Sequence, residues 1–366
     1  MAARDSRNGL LRCQFGSALA VAGAVTGAGR LTDDLSGLVE AVDGAVVGRR
    51  REVELVVAAV GAGRHLLLEG PPGTGKTTLL RALAAEMDVP LVTVEGNAEL
   101  TPARLAGQFD PARVLAEGYT GDAFMPGPLV EAMQGGALLY VEELNRVPEE
   151  TVNLLIGVMS EGELHLPRVG RIAAAERFRL VAAMNPYDTV GTSRLSSAVY
   201  DRICRVAMGY QDERDERRIV ELRTQGPAGA EDAGTAGGAK PEGDGTAERT
   251  RGRAVAVTRA TRTHHDVRMG SSVRGAMDLC DVAERLGRLR GRPLDDPGVG
   301  LDAALMALTG RIRLHEGGDR TPEAIVRELW EEVLAAEQRS DGPPADSLVP
   351  QAGKASAPGG ATTPGA

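Results

Sequence analysis

The feature that most constrains the fold of this chain is a glycine-rich octapeptide at residues 70–77, with the sequence GPPGTGKT. A short apolar run at 65–68 precedes it and is typical of a buried parallel strand. A helical pattern follows it over 77–86. The GxxxxGK[ST] spacing between a strand and a helix predicts a phosphate-binding loop. We therefore expect a parallel sheet whose strands end beside this loop.

The residue types in the octapeptide are those that binding of a nucleoside triphosphate requires. Glycines let the backbone curl so that its N–H groups converge on phosphate oxygens. The positive N-terminal end of the following helix strengthens that attraction. We expect Lys76 to contact the phosphates and the Thr77 hydroxyl to contact Mg²⁺. The predicted ATP-binding residues of the loop are Gly70, Pro71, Pro72, Gly73, Thr74, Gly75, Lys76, Thr77 and Thr78.

A pair of acidic residues follows a second apolar run, ALLYV at 137–141. Such a strand delivers Glu142 and Glu143 to the sheet edge that also carries the phosphate loop. We expect Glu142 to hold Mg²⁺ and Glu143 to polarise the attacking water. Glu142 stands where this motif usually has aspartate. A solvated acidic turn is the alternative interpretation, and the phosphate loop upstream favours the functional one.

Strand patterns alternate with helical patterns, which predicts an α/β domain with a parallel sheet. The predicted strands cover 65–68, 90–94, 137–141, 179–184 and 203–206. Composition divides the chain into an unassigned N-terminal extension (1–30), the α/β core (31–225), a disordered insertion (226–253), a helical lid (254–337) and a disordered tail (338–366).

Composition also excludes several classes of function. The net charge of −9 does not favour a broad nucleic-acid surface. The apolar stretch at 15–29 is too short and too rich in small residues to cross a membrane. The three cysteines form no CxxC pair, so we expect neither a zinc site nor a disulfide framework, and a cytoplasmic location. The adjacent His264 and His265 are not expected to face one site, and Mg²⁺ is the only metal assigned.

Five segments, in order, resemble the MoxR branch of the AAA+ ATPases: GPPGTGKT, VEELNRVPEET, AAMNP, YDRI and GSSVRGA. The resemblance covers about residues 46–314, less the insertion. It implies a P-loop AAA+ core with a sheet of strand order 5-1-4-3-2 flanked by helices, followed by a small all-helical lid domain.

The resemblance also implies roles for residues outside the phosphate loop. Val47 and Gly48 would line the adenine pocket, and Asn185 would orient the lytic water as sensor 1. Arg202 would act as an arginine finger on a neighbouring subunit, and Arg274 as sensor 2, although Val273 stands where the branch usually has proline. Arg146 is a weaker candidate for the subunit interface.

The MoxR branch carries two insertions, which match residues 108–127 and 163–178. By resemblance, the chain is an ATPase in a homo-oligomeric, hexameric ring. It would remodel a protein client together with a separate von Willebrand factor A domain protein. Two other functions remain open. One is a nucleic-acid-directed motor of the same fold. The other is a nucleotide-gated scaffold with little turnover, which is suggested by Glu142 in place of the usual aspartate.

Overall fold

A computed structural model describes residues 34–188, 191–224 and 245–340. The first part of the chain alternates helices and strands, and the second part is mostly helical. The elements of the first part are α1 (Leu35–Ala45), α2 (Arg50–Gly61), β1 (His65–Glu69), α3 (Lys76–Glu86), β2 (Leu91–Glu95), α4 (Pro102–Ala106), β3 (Gly107–Phe109), α5 (Pro111–Glu117), β4 (Phe124–Pro126), α6 (Pro128–Gly135), β5 (Leu138–Glu142), α7 (Glu149–Glu161), β6 (Glu163–Leu166), β7 (Gly170–Ala173), β8 (Arg179–Met184), α8 (Ser197–Tyr200) and β9 (Ile203–Ala207).

The core of this part is a five-stranded parallel sheet with the spatial order β2-β5-β8-β1-β9. When its strands are counted along the chain, this order is 5-1-4-3-2, and the prediction is confirmed. All five predicted strands are present, with ends within one or two residues of their predicted positions. Between β1 and β8, neighbours in the sheet are far apart along the chain. The phosphate loop leaves the sheet there, at the end of β1.

Both faces of the sheet are buried, which explains why its strands are continuous apolar runs. Leu66 and Leu68 of β1 pack against α1, α2 and α3 on one face. Leu67 packs with residues of α4, α6 and α7 on the other face. Because successive strand residues point to opposite faces, each strand contributes to two separate cores.

The two predicted insertions form small antiparallel ladders at one end of the domain. In the first, β3 pairs with β4 around helix α5. In the second, β6 pairs with β7, as the hairpin prediction requires. The guanidinium of Arg168, at the hairpin tip, lies 3.6 Å from the ring centre of Tyr119 in the first insertion. The two insertions therefore contact each other and form one surface.

The second part of the chain packs around its own apolar core, which includes Val255, Leu279 and Trp330. Its elements are α9 (Glu213–Thr224), α10 (Gly245–Ala260), β10 (Val267–Met269), α11 (Val273–Arg290), α12 (Pro297–Leu308), β11 (Arg313–Leu314) and α13 (Pro322–Ser340). This is the predicted lid.

Four predictions about the lid need correction. Helix α9 was assigned to the α/β core, but its Val220 is buried in the lid core. Residues 245–253 were predicted to be disordered, yet they form the first turns of α10, and Thr250 there is only 3% exposed. The lid is also not purely helical, because β10 and β11 form a short antiparallel ladder. At the other end of the lid, α13 continues to Ser340, past the predicted boundary at 337.

The predicted N-terminal extension at 1–30 lies outside the described residues, as do residues 226–244 of the insertion and 341–366 of the tail. Across the described ranges 34–188, 191–224 and 245–340, no helix is both long enough and apolar enough to cross a membrane.

Candidate nucleotide-binding and hydrolytic site

The phosphate loop leaves the end of β1 and is fixed to the neighbouring strand. The N–H of Gly70 donates to the carbonyl of Met184, the last residue of β8, at 3.1 Å. Gly73 and Gly75 have φ angles of 75° and 85°, which side chains with a Cβ rarely adopt. A Cβ on Gly73 would also lie 2.4 Å from the Ser272 hydroxyl of the lid. The glycines are therefore required both for the curl of the loop and for the approach of the lid.

Lys76 begins α3 and points back over the loop. Its ammonium donates to the carbonyl oxygens of Gly70 and Pro71, each at 2.9 Å. Burial, with the nearby Arg274 guanidinium as a second cause, lowers the pKa of Lys76 to about 8. A phosphate group beside this lysine would add to the negative charge that Glu142 supplies.

The two predicted Mg²⁺ ligands, 65 residues apart in the sequence, are in contact. The Thr77 hydroxyl donates to a carboxylate oxygen of Glu142 at 2.7 Å. Glu142 ends β5 at the carboxyl edge of the sheet, as predicted, and is partly buried. A hydroxyl and a carboxylate placed together are oxygen ligands of the type that Mg²⁺ prefers. These two residues therefore fit the predicted metal site.

Glu143 has an unusual backbone conformation. Its φ of 50° and ψ of 46° lie in the left-handed region, which is uncommon for residues other than glycine. This bend turns the chain out of β5 immediately after Glu142. The Glu143 carboxylate forms an ion pair with Arg146 at 2.9 Å, and Arg146 also pairs with Asp188. Arg146, predicted only as an interface candidate, thus holds the predicted catalytic carboxylate within the same chain.

Asn185, the predicted sensor 1 residue, directly follows β8, which lies in the sheet between β5 and β1. Its side-chain oxygen accepts from the N–H of Tyr187 at 3.1 Å, so it also stabilises a turn. Its carbonyl oxygen lies 3.5 Å from the amide nitrogen of the buried Asn145. The turn holds Asn185 in place without using the amide donors of its side chain.

A cleft of about 450 Å³ separates the phosphate loop from the lid. It gathers several of the predicted residues with apolar side chains of both parts. The predicted residues that line it are Val47, Gly73, Gly75, Thr78 and Arg274. Apolar side chains of the lid, Ile219, Leu222 and Met277, provide a surface suited to the flat face of a base. Gly48 does not line this cleft, but it lies against Asp215 of α9 with a φ of 64°.

Sequence reasoning missed the two buried polar residues of this cleft, Arg49 and Gln211. Arg49 is 4% exposed and donates to the carbonyl of Gly209 at 2.7 Å, which joins the core to the lid linker. Gln211 is 8% exposed, and its side-chain oxygen is buried without a hydrogen-bond partner in the part of the chain that the structure describes. A buried acceptor without a partner is costly, and a ligand with a donor group would satisfy it. Adenine and ribose both carry such donors, so the cleft fits ATP. No motif singles out either residue, since both act through tertiary contacts.

Replacing Gln211 by leucine is expected to weaken ATP binding by about 2–10-fold, the usual value of one hydrogen bond. Isothermal titration calorimetry would measure the change. Gln134→Leu, on the exposed face of α6, is the matched control and should bind ATP as wild type does. Equal affinities for Gln211→Leu and wild type would exclude a contact between Gln211 and the nucleotide.

Arg202 lies away from the phosphate loop of its own chain. It precedes β9, whose first residue, Ile203, pairs with His65 at the start of β1. The loop follows the other end of β1, about 13 Å further along for four residues of strand. The Arg202 guanidinium instead donates to Ser160 at 2.5 Å and to the carbonyl of Ala198 at 3.0 Å. The predicted finger is therefore not part of the site in its own subunit.

The prediction about the histidine pair is wrong. His264 and His265 stack with ring centres 4.5 Å apart, and both offer a nitrogen within 4.8 Å of an Asp266 carboxylate oxygen. Arg320, however, pairs with both Asp266 and Glu328 at the same place. This guanidinium already supplies the positive charge, so we assign no metal to the cluster.

Together, the loop, the acidic pair and the cleft define a P-loop nucleotide-binding domain. Residues 65–203 match the family model of the AAA domain, dynein-related subfamily. This part of the chain is therefore similar to the AAA domain. This match covers β1 to the start of β9 and includes the phosphate loop, Glu142, Glu143 and Asn185.

Several known proteins are similar to this chain. The uncharacterized protein YeaC of Bacillus subtilis is 28% identical over 316 residues, which cover 82% of this chain and 95% of YeaC. An uncharacterized protein of Staphylococcus epidermidis is 34% identical over 151 residues, or 41% of this chain and 57% of the relative. A crystal structure from Cytophaga hutchinsonii, described as that of a candidate ATPase, has a TM-score of 0.44 and 20% identity, and covers 82% of this chain and 93% of the other.

Proposed function

We propose that this protein is an AAA+ ATPase of MoxR type, which uses Mg²⁺-dependent hydrolysis of ATP to ADP and phosphate to remodel a protein client. The observation that carries the proposal is the convergence of separate hydrolytic groups at one sheet edge. Lys76 lies in the phosphate loop, the paired Thr77 and Glu142 lie beside it, and Glu143 and Asn185 end the adjacent strands. This set matches the needs of phosphoryl transfer to water.

Each of these side chains has a distinct task in the proposed reaction. Thr77 and Glu142 would hold Mg²⁺, whose charge, when bound, neutralises the phosphate oxygens. Lys76 binds the phosphates, and the loop N–H groups orient them. Glu143 accepts a proton from the attacking water, which Asn185 orients through its amide. To do so, Glu143 exchanges its ion pair with Arg146 for the water.

The surface formed by the two insertions favours a protein as the client. Leu115, Tyr119 and Met125 of the first insertion are 89%, 56% and 45% exposed. All three belong to the first insertion, and exposed apolar side chains are a common feature of protein-binding sites. The overall acidic charge of the chain does not favour a nucleic-acid substrate. A protein chain is therefore the substrate that this surface fits best.

The proposal extends to assembly, partner and location. Arg202 lies far from the site in its own subunit, which supports a ring in which each subunit completes its neighbour's site, with a hexamer as the proposed form. A separate von Willebrand factor A domain protein would act with the ring. Cys204 and Cys280 are both free thiols, which is consistent with a reducing cytoplasm.

The test is capture of the client by a variant that binds ATP without hydrolysing it. Tagged Glu143→Gln protein, held in ATP and Mg²⁺, is purified from the native cell, and what co-purifies is identified by mass spectrometry. We expect a von Willebrand factor A domain protein, with or without a further client. Lys76→Ala, which should lose the phosphate contact and bind little ATP, is the matched control and should retain neither.

Two outcomes would contradict this proposal. Nuclease-sensitive material in place of a protein would favour a nucleic-acid motor. Wild-type protein that binds ATP but turns it over no faster than Glu143→Gln would favour a nucleotide-gated scaffold. The ion pair between Glu143 and Arg146 is the observation that favours the scaffold, because it already engages the carboxylate that would accept the proton of the attacking water.

A further inference from the structure

Tyr140 is a polar residue in the apolar interior of the sheet. It lies in β5 two residues before Glu142, on the face that packs against α3, and is 1% exposed. The neighbouring side chains on this face, such as Leu138 and Val181, are aliphatic. Burial of a hydroxyl in such surroundings is costly unless it is hydrogen-bonded. A phenylalanine would fill the same space without that cost, so the hydroxyl itself needs an explanation.

The Tyr140 hydroxyl reaches the predicted Mg²⁺ ligands. It lies 3.3 Å from the Thr77 hydroxyl, which in turn lies 2.7 Å from the Glu142 carboxylate. Thr77 has one hydroxyl proton, and the acceptor-only carboxylate of Glu142 takes it. We therefore assign the Tyr140 hydroxyl as the donor in its contact with Thr77. The result is a directed chain in which Tyr140 donates to Thr77 and Thr77 donates to Glu142.

This chain determines how the Thr77 oxygen can bind a cation. A hydroxyl oxygen has two lone pairs, and Tyr140 occupies one of them. The proton points at Glu142, so the second lone pair is the part of Thr77 left for a metal. Glu142 is one methylene longer than the aspartate usual at this position and has more rotational freedom. The bond from Thr77 restrains that freedom.

We propose that Tyr140 is a positioning residue of the Mg²⁺ site, whose hydroxyl orients Thr77 and, through it, Glu142. The inference rests on the proposed function, since it concerns the metal that serves ATP hydrolysis. Tyr140 does not touch the metal or the nucleotide. Its removal should change how tightly Mg²⁺ is held without changing how the phosphate loop binds a nucleotide.

The experiment compares wild type with Tyr140→Phe, which removes the hydroxyl alone. Affinity for a fluorescent ADP analogue is measured in EDTA and then over a Mg²⁺ titration. We expect the Mg²⁺ concentration at half effect to rise by about 2–10-fold, the usual value of one hydrogen bond. Affinity in EDTA and the melting temperature in EDTA should stay at the wild-type values.

Tyr200→Phe is the matched control. The Tyr200 hydroxyl also bonds a carboxylate, Glu69, at 3.3 Å, but outside the metal site. This variant should titrate with Mg²⁺ as wild type does. A Tyr140→Phe titration equal to wild type, or weaker nucleotide binding in EDTA, would overturn this inference alone. Wild-type nucleotide binding that ignores Mg²⁺ would overturn the proposed function as well.

Discussion

Replacing Glu143 by glutamine should lower the rate of ATP hydrolysis by about 10²–10⁴-fold, the usual contribution of a positioned general base. Glutamine has nearly the shape of glutamate, but it cannot accept the proton of the attacking water. Binding of ATP should persist, because the phosphate loop and the Thr77–Glu142 pair are unchanged. Phosphate release measures the first effect, and calorimetry measures the second.

The matched control for this prediction is Glu150→Gln. Glu150 is an exposed acid in the first turn of α7 and contacts none of the site residues named here. Its variant should hydrolyse ATP at the wild-type rate. Hydrolysis by Glu143→Gln within a few fold of wild type would remove Glu143 from the mechanism and leave the αL conformation of this residue without a catalytic explanation.

Replacing Arg202 by alanine should lower the hydrolysis rate by about 10³–10⁵-fold, the usual contribution of an arginine finger. The loss should leave ATP binding to each subunit intact, because Arg202 does not reach the phosphate loop of its own chain. Arg288→Ala, which removes an exposed lid arginine paired with Glu284, is the control and should be fully active.

A mixing experiment decides whether Arg202 acts on a neighbouring subunit. Arg202→Ala subunits keep Glu143, and Glu143→Gln subunits keep Arg202. Where an Arg202→Ala subunit lies beside a Glu143→Gln subunit in a ring, the site between them can combine Glu143 of one subunit with Arg202 of the other. Random mixing in equal amounts should restore about a quarter of the sites, since each site joins two independently chosen subunits. No recovery above the two separate activities would exclude a shared site.

The parts of the site that could be predicted are those with local signatures. The phosphate loop has a fixed spacing between a strand and a helix, and the acidic pair follows an apolar strand. Because parallel strands end at one sheet edge, Thr77 and Glu142 could be placed together although 65 residues separate them. The strand order followed from the resemblance to a known branch, since no local pattern specifies which strands become neighbours.

The prediction of disorder at 245–253 failed for a different reason. The segment is rich in small and charged residues, which indicates little to bury. In the structure, Thr250 enters the lid interior, and Arg253 pairs with Glu337 from the last helix. A segment with weak local preference became helical because distant helices cover one side of it.

The sequence by itself determined the phosphate loop, the acidic pair that follows β5, and the division into an α/β core and a lid, because short-range spacing and hydrophobic periodicity are properties of neighbouring residues. Only the tertiary structure decided that the Tyr140 hydroxyl contacts Thr77, that Arg146 pairs with Glu143, and that the Gln211 oxygen lies buried without a partner among the described residues. These facts depend on side chains brought together from separate strands and from the lid linker. No spacing along the chain encodes such contacts, since they exist only after packing fixes where each strand and helix ends.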